Sequence, residues 1–295
     1  MVFVKKFNFF SQVLINKFFI EYFKVFEDRL NWFTIKDHVD VHFDNLYSFN
    51  HLINIENLQL HMFNSKKLIQ HLSSTVVPDP MTASSFGLLY SNLKSLDLSY
   101  NTLNDLTSIK FPSSLEYLNL SNNNIINLNN STFNWKNLTN LKYLNLSNNT
   151  LVSFNLFNTI SSNEFIEKEE YNLQKIDLSG NNLINLNFLS SKACVLFKNL
   201  TTIDLSRNLI SDLVKFTGSL RSINLTGNYL DELNESHFDF SYYFPSNMTE
   251  INLSYCKLHN TNQIESELIK ACPGLTKLNL EGNSKLPKIE VTPSA

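Results

Sequence analysis

One spacing of apolar residues recurs through most of the chain. Its first copy runs Leu93, Leu96, Leu98, Asn101 and Leu103, which is the pattern L-x-x-L-x-L-x-x-N-x-L. Further copies begin at Leu115, Leu141, Leu173, Leu200, Leu220, Met248 and Leu275. Consecutive copies begin between 20 residues (Leu200 to Leu220) and 32 residues (Leu141 to Leu173) apart. A period in this range is typical of chains in which each repeat buries its apolar face only against neighbouring repeats.

The Leu-x-Leu part of each copy predicts a short strand. Because side chains alternate across a strand, both leucines point inward and the residue between them points to solvent. Stacked repeats then place their strands in a parallel sheet, about 4.8 Å apart. The Asn follows the strand, where its amide can satisfy neighbouring backbone groups that would otherwise cost about 1–3 kcal/mol each. We therefore predict a structural ladder of Asn101, Asn123, Asn149, Asn181, Asn208, Asn228 and Asn283.

The pattern, in about eight copies over residues 93–283, resembles the leucine-rich repeat family. The resemblance implies an α/β leucine-rich repeat solenoid, curved, with a parallel β-sheet on its concave face and mixed helices and loops on its convex face. Cys256 stands at the Asn position of the seventh copy, as in some leucine-rich repeats. We interpret Cys256 as structural, with a redox role as the alternative.

The longer repeats leave room for helices. We predict them around residues 162–170 and 190–198 and over Gln263–Cys272. In the last segment, apolar Ile264, Leu268, Ile269 and Cys272 recur at helical spacing, and Pro273-Gly274 ends the helix.

The chain divides into four regions. Residues 1–50 are predicted to form a Phe-rich helical N-terminal cap, with an amphipathic helix over residues 9–31. Residues 51–92 contain a degenerate first repeat and a Pro/Ser-rich insertion. The repeat array covers residues 93–283, and residues 284–295 are predicted to be a flexible tail.

Residues 1–50 also allow three other interpretations. Many leucine-rich repeat proteins carry an F-box that binds a cullin adaptor, but the Leu-Pro pair that usually opens an F-box is missing here. The Phe-rich face could lie on a membrane surface, although its polar stripe is not strongly basic. His38, Asp40, His42 and Asp44 would share one face of a strand and could bind a metal. An exposed polar face explains the same alternation, and we predict no metal site.

Composition argues against several classes of protein. A net charge of -3 and a pI near 6.2 disfavour nucleic acid as the main partner. No run of about 18 apolar residues predicts a membrane span, and the three cysteines do not form a metal-binding or disulfide pattern. The apolar N-terminal stretch is interrupted by Lys17 and Glu21, unlike a signal peptide. We predict a cytoplasmic protein, with the nucleus as the alternative.

The sequence contains no motif of a catalytic or cofactor site. Asp97, Asp177 and Asp204 occupy one repeat position on an open sheet, whereas acid–base catalysis needs groups that converge on one point. We predict no enzyme activity, no catalytic residue and no cofactor.

The exposed sheet face is the expected binding surface, because leucine-rich repeat proteins usually bind through it. Its most varied column runs Ser95, Tyr117, Tyr143, Lys175, Thr202, Ser222, Glu250 and Lys277. Tyrosine is favoured at binding hot spots, and Tyr117 and Tyr143 lie in adjacent repeats. We predict that another protein contacts Tyr117, Tyr143, Lys175, Asp177 and Arg207; the alternative is that the stacked tyrosines stabilise the sheet.

These observations favour a non-catalytic protein–protein interaction scaffold or adaptor. The alternatives are an F-box-like substrate-recognition subunit of a cullin ubiquitin ligase, which would bind the cullin adaptor through residues 1–50, and a regulatory subunit of an enzyme such as a protein phosphatase.

Overall fold

The computed structural model describes residues 92–284, except 108, 130–132, 134–136, 156–170, 190–197, 217 and 235–237, together with three short strands upstream. The helices predicted over residues 9–31, 162–170 and 190–198 lie outside the described residues, except for Phe9, which belongs to a strand, and Lys198, which lies in a turn. So do the alternating His/Asp segment, the Pro/Ser-rich insertion and the predicted tail beyond Ser284.

The chain forms two compact units. The first comprises Met1–Thr150 and Asn155–Leu173, and the second comprises Leu151–Phe154 and Gln174–Ala295.

A parallel sheet is the framework of the first unit. Its strands lie in the order β1-β2-β3-β4-β5-β7, and β6 is outside the sheet. Their bounds are β1 Phe7–Phe9, β2 Trp32–Ile35, β3 Asn57–Leu60, β4 Ser95–Asp97, β5 Tyr117–Asn119, β6 Asn127–Asn129 and β7 Tyr143–Asn145. The leucines stand in register, with Leu58 opposite Leu96 and Leu118 opposite both Leu96 and Leu144.

The second unit contains the parallel sheet β9-β10-β11-β12-β13. The strands are β9 Lys175–Asp177, β10 Thr202–Asp204, β11 Ser222–Asn224, β12 Glu250–Asn252 and β13 Lys277–Asn279. A further short strand, β8 (Ser153–Asn155), lies where the two units meet in sequence. The helical elements are the 3-10 helices Asn187–Leu189 and Asp231–Asn234 and the α-helices α1 (Phe240–Tyr243) and α2 (Thr261–Ala271).

The core consists of the repeated leucines. From Leu93 to Leu253, the three apolar residues of each L-x-x-L-x-L segment are 0–2% exposed. Each repeat thus contributes one layer of side chains that the adjacent repeats cover, which is the arrangement predicted from the spacing. Within the described residues, no helix is both long and apolar enough to cross a membrane.

Phenylalanines fill the part of the core away from the sheet. Phe111 packs on Phe133 with ring centroids 5.4 Å apart, and Phe216 packs on Phe244 at the same distance. Phe154 meets Phe188 edge-on at 5.0 Å. The repeat pattern does not predict these pairs. In the first two repeats Phe follows the ladder Asn by ten residues, as in Asn101 to Phe111, but later repeats of other lengths do not keep this spacing.

The helix predicted over Gln263–Cys272 is confirmed and begins two residues earlier, at Thr261. Ile264, Leu268 and Cys272 are buried, as the periodicity indicates. Ile269 was wrongly assigned to this apolar face, since it is 54% exposed. It lies about 100° around the helix from Leu268 and so points away from the core.

Candidate binding surface

The asparagine ladder is confirmed by its hydrogen bonds. The Asn123 amide donates to the carbonyl of Leu120, at 2.9 Å, and to that of Leu98 in the previous repeat, at 3.1 Å. Its Oδ1 accepts the N–H of Leu103, also in the previous repeat, at 3.1 Å. Equivalent bonds link adjacent repeats at Asn149, Asn208, Asn228 and Asn283. These amides therefore hold neighbouring repeats together and leave little for a partner to bind.

Cys256 takes the place of an asparagine in this ladder. Its fully buried thiol lies 3.1 Å from the carbonyl of Leu225, the group that an Asn amide would contact. The N–H of Leu230, which an Asn Oδ1 would accept, bonds instead to the backbone carbonyl of Cys256 at 3.3 Å. Burial raises the pKa of the thiol and so disfavours the reactive thiolate. The contacts support the structural interpretation and give the redox alternative no support.

A second set of polar side chains ends the strands. The Oδ1 of Asn119 accepts the N–H of Ser121 at 3.0 Å, which turns the chain away from the sheet. The same bond to the residue two positions later forms at Asp97, Asn145, Asp177, Asp204, Asn224, Asn252 and Asn279. This column lies on the exposed sheet face, but its side chains are used to form turns.

The residue just before the ladder position adopts a left-handed conformation in each of the eight repeats over residues 93–283. These residues are Tyr100, Asn122, Asn148, Gly180, Arg207, Gly227, Tyr255 and Gly282, with φ between 52° and 72°. Gly and Asn adopt this conformation readily, whereas Tyr and Arg are strained in it. The ring of Tyr255 covers Gly282, where a Cβ atom would come within 3 Å of the ring. Glycine at position 282 thus suits both the left-handed backbone conformation and the close approach of the Tyr255 ring.

Tyr117 and Tyr143 form a parallel stack on the exposed face of the first sheet. The two residues are opposite each other in register, their ring centroids are 4.8 Å apart, and their planes differ by 4°. Both side chains are half-buried. Beside them, Lys142 forms a 2.7 Å ion pair with Glu116, and this hydrogen bond lowers the pKa of the Glu116 carboxyl.

Lys175, Asp177 and Arg207 belong to the second unit. Lys175 and Asp177 begin and end β9 and share its exposed face, and Arg207 follows β10. Asp177 stands opposite Asp204 in register. Burial raises the pKa of Asp177, the negative charge of Asp204 adds to this increase, and the hydrogen bonds from Ser179 and the positive charge of Arg207 oppose it.

The Leucine Rich Repeat family profile matches residues 92–113, 114–135 and 140–165. These segments of the chain are leucine-rich repeats. The solenoid fold expected from the spacing is confirmed by this match together with the parallel sheets and by two similar structures.

The first similar structure is the crystal structure of a TLR13–ssRNA13 complex, with 20% sequence identity and a TM-score of 0.58 over 96% of this chain and 40% of that chain. The second is the leucine-rich repeat protein LIC12759 of Leptospira interrogans, with 20% identity and a TM-score of 0.50 over 93% of this chain and 65% of that chain. The chain thus spans less than two thirds of the length of either protein. No curated protein matches the sequence. At this identity the likeness concerns the fold alone.

Leucine-rich repeat proteins are in general non-catalytic scaffolds that bind other proteins. Across the described residues, no group of three or more His, Cys, Asp or Glu side chains could hold a metal ion.

The structure therefore brings the predicted contact residues together in two places. Tyr117 and Tyr143 form one group in the first unit, and Asp177 and Arg207 interact electrostatically in the second unit, where Lys175 is the exposed residue at the start of β9. The Glu116–Lys142 ion pair was not predicted from the sequence. Its signal was present, because the two residues occupy the same repeat position in adjacent repeats and carry opposite charges.

Replacing Asp177 by Asn should stabilise the protein at pH 7. Because the folded-state pKa of Asp177 is raised, ionisation disfavours the fold. This penalty is absent below the unfolded pKa of about 3.9, develops as the pH rises through the folded pKa, and is complete above it. Asn keeps the Oδ1 that accepts the Ser179 N–H and is the residue found at this position in five other repeats, such as Asn119 and Asn145.

Melting temperatures of the wild type and of Asp177→Asn, measured from pH 3 to pH 8, check this prediction. The increase in melting temperature caused by Asp177→Asn should be present at neutral pH and vanish in acid. Asp231→Asn, at an exposed position, should change the melting temperature little at either pH. A D177N variant that is less stable than the wild type at pH 7 would contradict the argument.

Proposed function

We propose that this leucine-rich repeat protein is a non-catalytic scaffold or adaptor that binds another protein through Tyr117 and Tyr143. The observation that carries the proposal is the parallel stack of these two half-buried tyrosines on an exposed sheet face. Large aromatic side chains provide much contact area on binding, and they are enriched among the residues that dominate binding energy.

The stack is arranged before any partner arrives. Each ring restricts the other, and both side chains project from strands that are held in register by the sheet. Binding therefore costs less conformational free energy than it would if the two tyrosine side chains were separate and flexible. The adjacent Glu116–Lys142 ion pair supplies a polar rim of the kind that surrounds apolar contacts in protein interfaces.

In the second unit we propose Lys175, Asp177 and Arg207 as further contacts. The exposed Lys175 and Arg207 provide cationic donors, and Asp177 provides a carboxylate that a basic partner group would stabilise in its ionised form. These charges would add specificity and salt dependence more than affinity.

Affinity capture by the full chain, followed by quantitative mass spectrometry, tests the tyrosine stack. The double variant Tyr117→Ala/Tyr143→Ala should remain folded and should retain roughly a tenth or less of the specific partner, as expected when hot-spot residues are truncated. The variant Tyr117→Phe/Tyr143→Phe keeps both rings and should retain most of it. Exposed Tyr242→Ala is the matched control. Capture that is undiminished by the double alanine variant would contradict the proposal.

The same experiment addresses the two narrower functions that the sequence suggested. A cullin adaptor among the captured proteins would support an F-box-like role for residues 1–50. Co-purified protein phosphatase activity would support a regulatory subunit.

For localisation we propose the cytoplasm, with the nucleus as the alternative. The sequons in the repeats at Asn119 and Asn145 place their amide side chains in turn-forming bonds to Ser121 and Ser147, and Asn119 is 9% exposed. These asparagines are explained by the repeat rather than by glycosylation. Treatment of the cell-derived protein with a glycosidase should leave its mass unchanged, and a loss of mass would contradict a cytoplasmic location.

A further inference from the structure

The last strand of the second unit leaves its apolar face partly uncovered. Leu275, Leu278 and Leu280 are half-buried, whereas the equivalent residues of the preceding repeat, Met248 and Leu253, are completely buried. No described residue packs beyond β13, which is the end of the sheet order. Repeat arrays lose stability and solubility where a terminal apolar face stays exposed.

The backbone of β13 is open on the same side. In the preceding repeats the N–H of the last leucine donates to the next strand, as from Leu225 to Asn252 and from Leu253 to Asn279, both at 2.8 Å. Asn279 and Glu281 accept bonds from β12 and its following turn. Because alternate residues of a strand point their backbone groups to opposite sides, Leu278 faces the open edge. Leu280 follows the last residue of β13, and its N–H occupies the position from which Leu253 donates to Asn279 in the preceding repeat. The Leu280 N–H has no acceptor among the described residues.

We propose that a second copy of this chain pairs with this edge, so that two β13 strands lie antiparallel around a twofold axis at Asn279. In this register Leu278 of one copy is opposite Leu280 of the other. The two residues that face the open edge then exchange the N–H and C=O bonds of a hydrogen-bonded pair. The half-buried leucines of both copies cover each other, and the open backbone groups of both strand edges become hydrogen-bonded.

Charge complementarity selects this occupant and this register. Centring the pair at Asn279 brings Lys277 of one copy opposite Glu281 of the other, and the twofold axis repeats this pair. Opposite charges at facing positions stabilise a strand pair. Lys277 already binds Glu250 of its own chain at 2.5 Å, but an ammonium group has three donors and can bind both carboxylates. A register shifted by one residue toward Leu278 would place Lys277 opposite uncharged Asn279 instead.

Sedimentation equilibrium of the full chain over a wide concentration range tests the pairing. The wild type should form a reversible dimer. Glu281→Lys places two lysines opposite each other and should raise the dimer Kd roughly tenfold or more. Lys277→Glu/Glu281→Lys restores opposite charges and should recover part of the affinity. Glu265→Lys, the same change of charge at an exposed position on α2, should leave the Kd unaltered.

Hydrogen exchange at the amides of Leu278 and Leu280 separates the possible occupants. Protection that increases with protein concentration supports the pairing of two copies. A monomer with both amides protected at every concentration would show that a segment of the same chain, such as residues 285–295, covers the edge, and a monomer with both unprotected would show that nothing does. Either result overturns the proposal. Neither affects the tyrosine stack, which has its own test.

Discussion

Replacing Asn149 by Ala is expected to lower the free energy of unfolding by about 2–4 kcal/mol. The Asn149 amide is 6% exposed and donates to the carbonyls of Leu146 and Leu120, both at 3.0 Å. Its Oδ1 accepts the Ile125 N–H at 3.1 Å. Alanine removes all of these bonds and leaves buried backbone groups of two adjacent repeats without partners. Chemical denaturation of the wild type and the variant measures the difference.

The chain offers two controls for this prediction. Exposed Asn140 makes a hydrogen bond to the Ser113 carbonyl at 3.0 Å, so Asn140→Ala should cost much less than Asn149→Ala. Asn149→Cys should fall between the wild type and Asn149→Ala, because the thiol of Cys256 shows that cysteine can contact the carbonyl of the previous repeat. If Asn140→Ala and Asn149→Ala lowered the free energy of unfolding equally, burial would not determine how much these amides stabilise the fold.

Truncating Phe244 to Ala should be the most destabilising of the changes considered, at about 3–5 kcal/mol. Phe244 is 1% exposed and packs against Phe216, at a centroid distance of 5.4 Å, and against Phe240, at 6.4 Å. Alanine loses these contacts and leaves a cavity that rigid neighbouring repeats cannot close. Thermal and chemical unfolding of the variant would provide the measurement.

Phe244→Leu retains much of the buried volume and should lose well under half as much stability. Tyr242→Ala, two residues earlier and 53% exposed, is the control for effects on α1 and should change stability little. A stable Phe244→Ala variant would show that this part of the core repacks, contrary to the close packing of its rings.

The asparagine ladder and the tyrosine stack show which side-chain contacts can be predicted from the repeat spacing. Repeats in register give Asn123 and Asn149 the same surroundings, so one physical argument about a buried amide applies to both. The same register explains why Tyr117 and Tyr143, at one repeat position, lie one strand spacing apart. Their parallel orientation depends on how the two rings pack, which the spacing does not describe.

Other contacts depend on distances that differ from repeat to repeat. Phe216 and Phe244 meet although they are separated by 28 residues and occupy no common position relative to the ladder. The Tyr255–Gly282 contact depends on a left-handed backbone and on where one ring rests in the next repeat. The raised pKa of Asp177 likewise results from burial and from the facing Asp204.

The sequence by itself determined the repeated strand, its inward leucines and the buried amide that follows them, because these depend on the alternation of side chains and on the period of the repeat. Only the tertiary structure decided which phenylalanines pair, which glycine accommodates a tyrosine and which leucines remain half-exposed at β13. Those outcomes depend on the length and path of the segments between the strands, where no constant spacing constrains the chain.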